Sequence, residues 1–134
     1  MNRDYLVDAV KRIATQKGGN FHCSEPSRMA ELIKAYPVVW LEPPKFVEME
    51  GRRHGKVTYS IKLHAMREGV KLSAEERNAA YSELEERLVG MMMELSKEQR
   101  ILCVESLQIA CGAAQLTPHG EVAATATARV VSMF

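Results

Sequence analysis

The side chains able to hold a metal or attack a substrate are few in this chain of 134 residues. His22 and Cys23 are adjacent, while His54, His64, Cys103, Cys111 and His119 are spread over the rest. A structural zinc site gathers its ligands in pairs about two to four residues apart, and no such pair occurs. Neither a metal nor a cofactor is expected. The nucleophile motif GxSxG, the zinc-protease HExxH, the phosphate-cradling GxxxxGKS/T and the dinucleotide-binding GxGxxG are also missing. Gly18-Gly19 follows a helical pattern, where a left-handed C-cap explains it better than phosphate binding. Cys-His and Ser-His-Asp arrangements converge in space rather than in sequence, so a small enzyme with a site built from His64, His119 and Cys111 stays open as a third reading. The plainer expectation makes Cys103 and Cys111 small apolar core residues and His64 an exposed strand residue.

Charge is more informative than any motif. Eighteen Lys and Arg against seventeen Asp and Glu leave a net +1, so no global field draws the chain to nucleic acid or an anionic membrane. The local distribution is uneven. Residues 51–71 carry Arg52, Arg53, Lys56, Lys62, Arg67 and Lys71 against Glu68, a net of +5. Residues 73–98 carry seven glutamates, among them Glu83, Glu86 and Glu94, against Arg77, Arg87 and Lys97, a net of −4. Ordinary solubilising surface is the plain account. The sharper account has a basic ribbon on one subunit meeting an acidic helix on the next, with Arg52, Arg53 and Lys56 facing Glu83, Glu86 and Glu94. Nucleic acid is not expected as a specific ligand, because the basic segment offers only Tyr59 for stacking and the alternation points it inward.

Hydrophobic residues at 46% and charged residues at 26% are globular values that exclude a disordered or collagenous chain. At 15.0 kDa the chain can bury its own core, and residues 1–134 are expected to form a single α+β domain. Three cysteines without a CxxC suit a reducing compartment. Asp4 and Asp8 interrupt the N-terminal apolar stretch, unlike a secretory signal, and no run approaches ~18 apolar residues. A soluble cytoplasmic protein without a membrane partner is the expectation.

The elements that position these residues follow from periodicity. Leu6, Ala9, Val10, Ile13 and Ala14 predict an amphipathic helix over 3–16. Ser24 caps a second, shorter helix with Met29, Leu32, Ile33 and Tyr36 on one stripe, ending before Pro37. Val38–Leu41 reads as a strand closed by Pro43-Pro44, and Lys45–Glu50 as a brief edge strand. Lys56–Met66 alternates, with Val57, Tyr59, Ile61, Leu63 and Ala65 buried and the other face wet. Residues 51–55, with a glycine at each end, form the hairpin tip between them. Ser73-Ala74-Glu75-Glu76 is a capping box opening a helix to about Ser96, whose stripe is Tyr81, Leu84, Leu88, Met91, Met92 and Leu95. Ile101–Cys111 and Glu121–Phe134 close the chain as a strand pair. At ~3.3 Å per residue the last strand would outreach the body of the domain, so part of this hairpin is expected to project. The whole is an antiparallel sheet of four to five strands with helices packed on one face, in the order α-α-β-β-β-α-β-β.

The leading helix, the PVVWLEPP strand, the alternating GKVTYSIKLHAM, the capped SAEERNAAYSELEERLVGMMMEL and the closing pair ending GEVAATATARVVSMF follow an order that resembles small tailed-phage proteins. The chain is similar to tail-terminator, head-tail joining and minor tail proteins of this α+β kind. That resemblance implies a phage- or prophage-derived structural protein, without catalysis or cofactor, that assembles into a ring, commonly a hexamer. Its partners would be its own copies and tail tube or head-completion proteins, and its location the host cytoplasm before assembly and the virion after it. The alternative is a small intracellular α+β binding module, with nucleic acid as a candidate ligand, acting as a monomer or dimer.

Overall fold

The computed structural model describes residues 2–51, 55–112 and 116–133. Helix α1 (Asn2–Gln16) buries Leu6, Ala9, Val10, Ile13 and Ala14, the stripe its spacing requires. Strand β1 (Asn20–Cys23) follows at once, then a 3-10 turn (Pro26–Arg28), a single helical turn α2 (Met29–Leu32) and strands β2 (Val38–Leu41), β3 (Lys45–Glu50) and β4 (Lys56–Arg67). Helix α3 (Ala74–Ser96) and strands β5 (Ile101–Cys111) and β6 (Val122–Met133) complete the α+β fold. Ser73 caps α3 as expected: its hydroxyl accepts from the Glu76 amide at 3.2 Å, and Glu76 Oε1 accepts from the Ser73 amide at 3.2 Å.

The sheet has six strands in the order β1-β2-β4-β6-β5, with β3 pairing β4 beyond the end of β2. This corrects the expected four to five strands. It is also not wholly antiparallel, because β1 runs parallel to β2. The extra strand is β1, between the first helix and Ser24, where periodicity assigns no element. Parallel neighbours need a crossover, and residues 24–37 supply one. Ser24 does not cap a helix there; its carbonyl instead accepts from Trp40 Nε1 at 2.9 Å, and the turn begins without any side-chain cap.

Two apolar layers flank this sheet. Helices α1 and α3 cover one face, over Val57, Tyr59, Ile61, Leu63 and Ala65 of β4 and the small Ala124, Ala126 and Ala128 of β6. The opposite face is not simply wet. Met29 and Ile33 pack there with Val38, Trp40, Met66 and Ala123, so the short crossover helix lies across the sheet from the long ones. Helices on one face was therefore correct for α1 and α3 and wrong for α2. Among the described residues the last strand does not project: β6 pairs β4 through all twelve residues, from Lys56↔Met133 to Arg67↔Val122. An extended reach that seemed to overhang the core is absorbed by an equally long partner.

Leu88, fully buried under α3, is the central residue of the long helix's apolar stripe. Leu88→Ala should cost ~2–5 kcal/mol in chemical denaturation, as a large-to-small core change. Ser73→Ala should cost about 1 kcal/mol, the loss of one cap.

Candidate functional site

The most ordered polar constellation sits on the open face, where alternation predicted a solvated residue. His64 is 2% exposed, not a surface residue. Its Nε2 lies 2.7 Å from Glu42 Oε2 and its Nδ1 2.7 Å from Thr125 Oγ1. The carboxylate fixes the tautomer: Nε2–H donates to Glu42, so Nδ1 accepts from the Thr125 hydroxyl. Burial pushes the imidazole below its ordinary 6.5 and Lys62 adds to this, while the hydrogen bond and charge of Glu42 pull it upward without cancelling the effect. Glu42 immediately follows β2, held next to β4 by its amide donating to Lys62 O at 3.0 Å. The triad thus ties β2, β4 and β6 together across the face.

A groove of about 420 Å³ opens beside it, lined by Lys62, Gln108, Ala110, Leu116 and Thr127 with His64 and Thr125 on its floor. Hydroxyl, imidazole and carboxylate stand in the order used by hydrolases. Thr125 lies mid-ladder between His64 and Ala110, and the amides of this central strand serve the sheet rather than a developing oxyanion. Among the described residues no buried side-chain polar atom lacks a partner, so the network is a satisfied clamp.

His64, His119 and Cys111 are not brought together. Cys111 pairs with Ala124 on the α3 side of the sheet, its sulfur 4.0 Å from Tyr81 O, whereas His64 faces the other way. His119 Nδ1 meets the Tyr36 hydroxyl at 3.1 Å, fastening the 116–121 loop to the crossover segment. That loop is itself wrapped around Glu121, whose carboxylate accepts from the Leu116 and Thr117 amides at 2.9 and 2.8 Å and from the Thr117 hydroxyl at 2.7 Å. Cys103 and Cys111 are exposed rather than core residues, because two bulges in β5 and its position at the sheet edge leave little to cover them. Partial burial raises the thiol pKa of Cys111, and Glu85 raises it further, the reverse of an activated nucleophile. No group of three or more His, Cys, Asp or Glu among the described residues is placed to hold a metal ion.

The charged residues singled out for an interface are distributed differently. Arg52 and Arg53 lie outside the described residues, as does His54. Lys56 starts β4, exposed and in register with Glu50. Glu83 accepts from Arg67 Nη1 at 2.9 Å, so the basic segment and the acidic helix already meet within one chain. Glu94 lies 3.4 Å from Lys97 Nζ, and Glu86 is exposed on α3.

The sheet edges carry features that charge counting missed. β3 is exposed at every residue, with Phe46 61% and Met49 59% accessible. On the opposite edge β5 exposes Leu102 and Leu107, and beside it α3 exposes Val89 and Met93. The signal for β3 was present in KFVEME, where apolar residues sit in a segment already read as an edge strand. No helix among the described residues is long and apolar enough to cross a membrane. No protein-family model matches the chain, and no curated protein matches it.

The depressed imidazole gives His64 a defined signature in stability. As pH falls through about 6.5 the unfolded chain protonates before the folded one, so folding stability should decline below that pH and be flat in this term above it. Denaturation midpoints measured from pH 7.5 to 5 should show this slope, and His64→Gln should flatten it.

Proposed function

We propose that the chain is a structural assembly protein, a ring-forming component of the tail or head-tail junction of a tailed phage or of a prophage derived from one. One observation supports this above the others: the sheet ends in β5 on one side and in β1 and β3 on the other, and both β3 and β5 present apolar side chains to solvent. Lys45, Glu48, Glu50 and Glu105 charge these edges, as a soluble chain requires, yet Phe46, Met49, Leu102 and Leu107 stay exposed between them. Two different surfaces on opposite sides of one subunit make a heterologous contact, which repeats from copy to copy until a ring closes. The phage assignment itself rests on the order of elements, a fold-level analogy. The work of such a protein is done by its interfaces, and no catalytic step is assigned to it.

The charged rims fit the same contact. Arg52 and Arg53 belong to the connection between β3 and β4, and with Lys56 they give that end of the hairpin a positive sign. Glu86 and Glu94 give the exposed surface of α3 a negative one. A monomeric binding module, the competing reading, needs neither open edge.

Mass in solution separates the two readings, measured by light scattering alone and with a tail tube protein as template. The chain should associate, more weakly as salt rises because exposed charges are screened over ~8–10 Å, with apolar burial leaving some association at high salt. Phe46→Glu should reduce association with the fold intact. Reversing Arg52 and Arg53 to Glu should do the same, with partial recovery when Glu86 and Glu94 are reversed in the same molecule. A monomer under all these conditions would refute the assembly reading.

A further inference from the structure

We infer that the contact between copies is a continuation of the sheet itself, with β5 of one copy adding antiparallel to β3 of the next in one defined register. This rests on the assembly reading above and deepens it by naming the paired rows.

Strand directions permit the join. β3 and β6 each run antiparallel to β4, and β5 runs antiparallel to β6, so β3 and β5 point in opposite senses. Two copies set side by side in the same orientation therefore meet through antiparallel edges.

The pairings within one copy then assign the rows. Lys45, Ser60, Arg129 and Glu105 form one row across the sheet, so Lys45 and Glu105 are its two ends. Phe46 and Val104 end the next row, through Tyr59 and Val130. Glu48 and Cys103 end the third, and Met49 and Ile101 the fourth. Beyond it Glu50 is level with Met133, whose amide donates to Arg100 O. Continuing each row into a neighbour sets Lys45 against Glu105, Phe46 against Val104, Met49 against Ile101 and Glu50 against Arg100. Two pairs are oppositely charged, two are apolar, and no like charges meet. Cross-strand pairs of these kinds stabilise a ladder. Arg100 is already engaged by Asn2 and lies over the Tyr5 ring, so it contributes charge of the right sign rather than a free side chain.

Other registers are worse. Sliding β5 by two rows in one direction sets Glu48 opposite Glu105. Sliding it the other way leaves Met49 and Glu50 without ladder partners. The break in β5 also falls in a suitable place: its ladder is interrupted between Glu105 and Gln108, with Ser106 at φ 56, just past the residue that would meet the start of β3.

The faces agree. Phe46 and Met49 project on the same side of the sheet as the helices, since they pair with Tyr59 and Val57, and Val104 and Ile101 pack on that side too.

Glu48→Cys in a chain with Cys23→Ser and Cys111→Ser tests the register, leaving the native Cys103 as the only other thiol. Within one copy positions 48 and 103 line one groove across β4 and β6, so a link inside a copy leaves the monomer mass and only multiples of that mass report the contact between copies. Mild oxidation should give a ladder of cross-linked copies on a non-reducing gel, abolished by Cys103→Ser. Independently, Lys45→Glu and Glu105→Lys should each weaken association roughly fivefold or more, and together restore it. Association without the 48–103 link and without charge-swap rescue would overturn this register and leave the assembly reading standing. A chain that stays monomeric with its tube partner would overturn both.

Discussion

Everything in this fold is arranged around β4. Its twelve residues pair with β6 along their full length on one side and with β2 and β3 in succession on the other. A strand enclosed in this way has both faces to account for. The α3-side face is met by an uninterrupted apolar series that two helices cover. The other face is divided: Met66 is sealed with Trp40 by the crossover helix, His64 beside it is stitched by Glu42 and Thr125, and toward the N-terminus Lys56 is exposed while Thr58 is buried.

The stitch explains how a histidine is tolerated on a buried strand. An unpaired imidazole at 2% exposure would forfeit a hydrogen bond at each nitrogen, and each loss costs about 1–3 kcal/mol. Glu42 and Thr125 satisfy both, and each comes from a different segment. The network therefore depends on β2, β4 and β6 being in register together. A one-residue slip of β6 would turn Thr125 to the opposite face and replace it with alanine. Register, more than chemistry, is what this polar cluster specifies.

Much of this was legible in the residues. The buried stripe of α1, the capping box and stripe of α3, and the strand of residues 56–66 follow from local period, because each buries one continuous face, while the strands of residues 38–41 and 45–50 follow from β-favouring residues set off by prolines and glycines. β1 was not legible. NFHC has no alternation to declare itself, being half-exposed, and a parallel strand is defined by its partner rather than by its own pattern. The buried condition of His64 was equally hidden, since its partners are twenty-two residues before and sixty-one after it in the chain. Alternation correctly named the α3-side face of β4 but could not see that a short helix would return to cover part of the other. Cys103 and Cys111 failed for a related reason: their spacing suits a strand interior, and only the sheet order places that strand at an edge.

The edges raise the question of how a subunit with two open strands avoids indiscriminate aggregation. Both are interrupted: β3 shifts register between Phe46 and Glu48, and β5 does so twice, around Leu102 and around Ser106-Leu107. Bulges twist an edge away from flat templating, and Lys45, Glu48, Glu50 and Glu105 add charge to it. An arbitrary strand meeting either edge must fit these irregularities and match these signs. In the assembly proposed above, the residues that discourage unspecific pairing would also discriminate among registers, since a two-row slip in one direction brings two glutamates together. Protection of the free chain and selection of its neighbour would then be one property of the edge.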